Sequence, residues 1–233
     1  PFKSLQDRGI VSAIEDDTRT HNSPGSPYMA MPTERHSVAI MRRNMAICLC
    51  RGEPFYTLPI IDGADMDFPA FATDADAWRI ATEFALAQGT ERHAEIAVVT
   101  SEESIKSMPL KPGVRDHYPD QWIQVYRPDG TVEEGNPQAR SIITDNYYAI
   151  YTRLARLGAG CDYLLAEDLE HAKGTYKLYV FVNCLKATDA FRRAVARLRE
   201  RNCTLLWMHA PGFVADGGNS VANMKTLTGL EFA

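Results

Sequence analysis

Long apolar runs are missing from this 233-residue chain: none approaches the roughly 18 to 20 residues that a membrane-spanning helix needs. The stretch Pro1 to Ile10 also lacks the charged-then-apolar order of a secretory leader. Positive charge is in short supply. With 25 Lys and Arg against 30 Asp and Glu, the net charge is -5 and the pI near 5.7. That balance gives no electrostatic footprint for nucleic acid or an anionic membrane surface, and leaves sugars and other neutral substrates open. Cysteine is sparse and odd in number: Cys48, Cys50, Cys161, Cys184 and Cys203 are spread through apolar segments without ligand-like spacing. They read as core thiols. Cys48 and Cys50 fall on a predicted helix, where positions i and i+2 point to different sides and cannot share an ion. No metal site is expected.

A working glycine-rich phosphate loop is also absent. "LGAGCD" at 157–162 follows a predicted helix and precedes a predicted strand. This is the reverse of the order that aims helix N-terminal amides at a phosphate, so it reads as a helix stop. No flavin, nicotinamide or other cofactor is expected.

What the sequence does contain is enough apolar residue, 45% hydrophobic against 24% charged, to build one large or two small domains. Apolar runs alternate with helical periods, the α/β pattern with parallel strands. A strand is predicted at Ile10 to Glu15, followed by a loop from Asp16 to Pro32 rich in Pro, Gly, Ser and Asn. Val38, Met41, Met45 and Cys48 then recur at helical steps until Gly52, and a second strand covers Phe55 to Ile61. The next helix is expected to open at Thr73 or Asp74, both good N-caps, and to carry Trp78, Ala81 and Ala85 on one face. Gly89 to Ala94 marks a domain boundary.

The second part opens with the strand "EIAVVT" at 95–100. It passes through a turn-rich excursion in which "RPDG" joins Trp122 to Tyr126 and Thr131 to Glu133 as a hairpin. A helix through Tyr147, Ile150, Leu154 and Leu157 follows, closed by Gly158. Strands are predicted at Asp162 to Ala166, Lys177 to Val182 and Cys203 to Met208. Between the last two, Thr188 caps a helix with Phe191, Val195 and Leu198 on its apolar face and Arg192, Arg193, Arg197, Arg199 and Arg201 on its solvated face or last turn. The pattern is that of a doubly wound three-layer domain.

The segments "AEIAVVTSEES", "YYAIYTRLARLGAGCDYLLAEDL", "YKLYVFVNCLKATDAFRRAVARL" and "LLWMHAPGFV", in this order, resemble the middle domain of glycoside hydrolase family 42 β-galactosidases and their relatives. The resemblance covers about residues 94–230. It implies a flavodoxin-like, glutamine-amidotransferase-like fold associated with homotrimer formation, preceded by a (β/α)8 catalytic barrel. Residues 1–90 are then the last two β/α units of that barrel. The chain is expected to be a piece of a larger protein, cut at both ends, whose substrate is a carbohydrate.

In glycosidases of this barrel clan the seventh strand carries the nucleophilic carboxylate, so the resemblance places Glu15 in that role. Barrel enzymes build their sites at the carboxyl ends of the strands. A retaining mechanism pairs an ionised carboxylate with a protonated one about 5 Å away, and a cation such as Arg19 favours ionisation. Around Glu15 the loop "AIEDDTRTH" offers Asp16, Asp17, Arg19 and His21 as sugar-binding groups, and the end of the next strand offers Asp62 and Asp65. The acid/base of this family lies on strand four, upstream of Pro1. Three other possibilities stay open. The loop is merely a charged strand cap, the nucleophile is Asp16 or Asp17, or the protein is a silent carbohydrate-binding or assembly protein with the same folds. An amidotransferase-like activity would need a nucleophile at the turn "WMHAPG", where His209 and Ala210 stand. Cys184 follows a different strand and reads as a buried thiol.

Overall fold

A computed structural model describes residues 2–23, 30–58, 66–88, 93–107, 114–116, 123–126, 132–134, 150, 153–154 and 156–232. They form two compact units, Gly9–His93 and a second made of Pro1–Arg8 with Ala94–Ala233. Both units set helices against parallel sheet, so the protein is of the α/β class. The helices are α1 (Phe2–Asp7), α2 (Glu34–Arg51), α3 (Pro69–Gln88), α4 (Glu102–Ser107), α5 (Asp189–Arg199) and α6 (Val221–Thr228). The strands are β1 (Ile14–Asp16), β2 (Phe55–Thr57), β3 (Ile96–Thr100), β4 (Val114–Asp116), β5 (Ile123–Tyr126), β6 (Val132–Glu134), β7 (Cys161–Leu165), β8 (Leu178–Phe181) and β9 (Thr204–Trp207).

In the 9–93 unit β1 and β2 pair in parallel, with Glu15 opposite Tyr56 and Asp16 opposite Thr57. The ladder is shorter than the apolar runs suggested. It is bounded by Ile14 N donating to Pro54 O and Leu58 N donating to Asp16 O, so Ile10 and Val11 stand outside it and are exposed. Helix α2 follows its sequence period: Met41, Met45 and Cys48 are buried while Cys50 is exposed, which rules out a shared ion. Gly52 ends the helix at φ 65°, a left-handed conformation that costs glycine nothing, and its N–H reaches Leu49 O.

Helix α3 departs from expectation. It starts earlier, at Pro69, because proline at the first helical position has its φ preset and lacks only an N–H that would be unpaired anyway. Asp74 is therefore an interior residue and not a cap. It is buried and takes the Arg42 guanidinium, Nε at 3.0 and 2.9 Å from its two oxygens and a terminal nitrogen at 2.8 Å, which fastens α3 to α2. Beneath this pair Met41, Met45 and Phe68 form the core, with Phe55 edge-on to Trp78 at 6.2 Å.

In the second unit the parallel sheet runs β7-β3-β8-β9, so the first strand lies between the second and the third and the winding reverses there. Side chains alternate between two buried faces. Ala97, Val99, Leu164, Tyr179 and Phe181 meet Phe191, Val195 and Leu198 of α5 on one side. On the other, Ile96, Val98, Cys161, Val180 and Val182 pack with Ile150 and Leu154. Covering both faces explains why β3 and β8 read as unbroken apolar runs. As expected, Thr188 caps α5, its hydroxyl accepting from Phe191 N at 3.2 Å, and Gly158 has φ 72° at the predicted helix stop. The arginines of α5 are more than a solvated face, since Arg193 and Arg197 both hold Glu170, whose carboxyl they keep below its ordinary range by hydrogen bonding.

Sequence periodicity did not point to α6, although Ser220 before it accepts from Asn223 N at 3.3 Å and Gly229 closes it. The described residues of the excursion form an antiparallel three-stranded sheet, β4-β5-β6, one strand more than the predicted hairpin. "RPDG" lies outside the described residues.

Candidate functional site

At the carboxyl end of β1 the two adjacent carboxylates part company, because successive strand side chains point to opposite faces. Asp16 turns toward the helices and is 7% exposed. It accepts from Thr18 N at 3.0 Å, from the Thr18 hydroxyl, and from Asn44 Nδ2 of α2 at 3.0 Å. A carboxylate so occupied by a local turn and a helix is a structural anchor.

Glu15 faces the other way, away from α2 and α3, and is exposed. Its cross-strand neighbour Tyr56, itself 47% exposed, donates its hydroxyl to Glu15 Oε2 at 2.5 Å. That hydrogen bond, with desolvation and the nearby negative charge, raises the Tyr56 phenol above its ordinary value. Tyr56 went unnoticed in the sequence, where "FYTLPI" signals only a strand. Its partnership follows from the register.

The remaining candidates scatter. Arg19 is buried, donates to Asp17 O and lies 3.7 Å from the exposed Asp17 carboxylate. The hydrogen-bond partner of Glu15 is Tyr56, where Arg19 had been expected to act. His21 folds back on α2: its N–H donates to Ser37 Oγ at 2.9 Å, its ring Nδ1 is 3.1 Å from the same oxygen, and its ring meets Phe68 edge-on at 5.1 Å. Thr20 and Ser23 are fully buried beside it. Asn22 Nδ2 reaches Asp67 O at 3.2 Å, tying this loop to the chain after β2. Asp62 and Asp65 lie outside the described residues.

In the second unit the carboxyl ends of β3 and β8 flank the place where the winding reverses, the usual ligand crevice of such sheets. Here the turn after β3 is filled from within. Ser101 caps α4, accepting from Ser104 N at 3.0 Å. The Glu167 carboxylate takes the Ser101 hydroxyl at 2.7 Å and the amides of Glu102 and Glu103 at 3.3 and 3.1 Å. A protein carboxylate thus sits where a phosphate would be held. Ser104 Oγ accepts from Lys186 N at 2.9 Å, linking α4 to the segment after β8.

Two non-glycine residues adopt left-handed backbones just beyond the strands, Asn183 at φ 55° after β8 and His209 at φ 61° after β9. His209 stands in the sharp turn that would present an amidotransferase nucleophile, and its side chain is an imidazole. Cys184 is completely buried, its thiol 3.6 Å from Val99 O, and burial pushes its pKa upward. Among the described residues no group of His, Cys, Asp and Glu is arranged to hold a metal ion, and no helix is long and apolar enough to cross a membrane. No protein-family model matches the chain, and no curated protein matches it in sequence.

Proposed function

We propose that the chain is part of a glycoside hydrolase of β-galactosidase-like type, with Glu15 as the nucleophile of a retaining mechanism. In this proposal the 9–93 unit supplies the last two β/α units of a (β/α)8 barrel and the second unit is a flavodoxin-like trimerisation domain. The observation that carries it is the pair Glu15–Tyr56, one residue before the carboxyl ends of two short parallel strands and on the face opposite the one that packs on their helices. In a closed barrel that face is the interior, and that end is the catalytic mouth. Further support comes from the strand order β7-β3-β8-β9, which follows the flavodoxin-like winding of 2-1-3-4.

Tyr56 has a defined task in this chemistry. A donor on Oε2 fixes the carboxylate plane and leaves the other oxygen to attack the anomeric carbon, with departure of the aglycone as the glycosyl ester forms. Water later cleaves that ester and restores the carboxylate. The acid/base comes from the fourth strand of the barrel, outside these 233 residues. The chain alone then turns over no glycoside.

The test uses the full-length protein. Glu15→Gln should lower turnover of an aryl β-glycoside by several orders of magnitude with folding retained. A 2-fluoro glycoside should leave its sugar on the peptide containing Glu15, as seen by mass spectrometry. Turnover within about threefold of wild type, or a label on another residue, rejects the assignment. A catalytically silent carbohydrate-binding role would show saturable sugar binding without turnover in the wild type.

A further inference from the structure

Between α5 and the segment that leads into β8 lies a cavity of about 40 Å³ with a mainly polar wall, to which Glu170, Ala172, Gly174, Tyr179, Arg197 and Arg201 contribute. That is room for about three waters, or for one small oxyanion. The wall is rich in donors. Tyr179 is 2% exposed, and its oxygen accepts from the Arg201 guanidinium and from the backbone of Tyr176, while its own O–H has no acceptor among the described residues. The backbone N–H groups of Ala172 and Gly174 likewise have no acceptor there, although the N–H of Lys173 between them goes to Asp7. Gly174 is needed where it stands, because a Cβ at that position would collide with the Tyr176 hydroxyl.

Charge gathers on the same wall. Arg193, Arg197 and Arg201 recur every fourth residue along α5 and just past its end, so they form one ridge. Glu170, 3.2 Å from Arg193 and 3.1 Å from Arg197, answers one of these three charges, and Arg201 has no carboxylate partner among the described residues. We propose that this cavity binds a phosphate group, free or at the end of a small molecule. Arg197 and Arg201 meet its charge, and the Tyr179 hydroxyl with the Ala172 and Gly174 amides donates to its oxygens. Donors drawn from three segments of chain suit a tetrahedral group with three or four oxygens better than a flat carboxylate, and a guanidinium fork matches phosphate directly. The site needs no glycine-rich loop, and the inference is independent of the glycosidase proposal.

Urea unfolding of the intact chain, with inorganic phosphate or phenyl phosphate added at fixed pH and ionic strength and sodium chloride as the blank, tests it. Inorganic phosphate at about ten times its dissociation constant should raise the midpoint by about 0.7 M. Arg201→Gln, at an exposed residue, should weaken binding at least about tenfold, and Tyr179→Phe severalfold. Arg199→Gln makes the same change of charge at a residue that does not line the cavity, and should leave the affinity within about twofold. A rise with both ligands assigns the site to terminal phosphate groups, and a rise with inorganic phosphate alone assigns it to the free ion. The absence of a saturable rise, or equal losses in Arg199→Gln and Arg201→Gln, overturns the site.

Discussion

Phe181 is the residue on which the second unit's core should turn. It has no exposed surface, stacks on Trp207 with ring centroids 4.0 Å apart, and touches Phe191 at 5.8 Å. Truncation to alanine removes a fully buried ring from a two-sided core, which costs about 3–5 kcal/mol. Phe181→Leu keeps most of the volume and loses mainly the aromatic pairing, for a cost of about 0.5–1.5 kcal/mol. For a unit of this size a urea m-value of about 2 kcal/mol/M is appropriate. The alanine variant should therefore unfold at about 1.5–2.5 M lower urea, and the leucine variant at less than about 1 M lower. Tryptophan fluorescence is the natural probe, since Trp207 lies directly on the altered ring. Leu206, next in the chain but 49% exposed, provides the control, and Leu206→Ser should shift the midpoint by no more than about 0.3 M. A small shift for Phe181→Ala, or equal shifts for Phe181→Ala and Leu206→Ser, would refute the register that pairs Phe181 with Trp207.

The neighbouring carboxylates of β1 should separate in unfolding experiments. Asp16→Ala strips a buried acceptor from Thr18 and Asn44 and costs about 2–4 kcal/mol, while exposed Glu15→Gln stays within about 0.5 kcal/mol. The opposite order in urea titrations followed by circular dichroism would contradict the facing assigned to them. Tyr56 should titrate above an ordinary tyrosine, and Glu15→Gln should bring it back down, as followed by phenolate absorbance with Tyr56→Phe as the blank. Tyr176 is buried with its hydroxyl 2.8 Å from Asp162, and burial together with that carboxylate raises its phenol. Its folded value exceeds the unfolded value near 10, so the stabilisation is present below about pH 10 and is lost as pH rises toward the folded value. Stability of the wild type should fall between about pH 10 and 11, and Tyr176→Phe should flatten that fall.

The helix signals were local, and the sequence carried them. The spacing of Met41, Met45 and Cys48, the glycine after Arg51, and the threonine before Asp189 act through neighbours within one or two turns, so each appears as a short pattern. The apolar runs of β3 and β8 were equally legible, because a strand covered on both faces has no polar alternation to preserve.

The candidate site was legible only as a composition. "AIEDDTRTH" announces a strand end rich in carboxylates, and the alternation of a strand says that Glu15 and Asp16 diverge. Which of them faces the helices was settled by β2 and α2, through the register with Tyr56 and the bond from Asn44. Asp74 has the chemistry of a cap, yet Arg42 on another helix claimed it. Ser4 and Leu165 lie 161 positions apart, and Glu167 reaches the amide of Glu103 across 64. Contacts at such separation leave no periodic trace in a chain. They arise when packing brings an unpaired backbone group beside a side chain able to satisfy it, and only the tertiary structure decides which side chain that is.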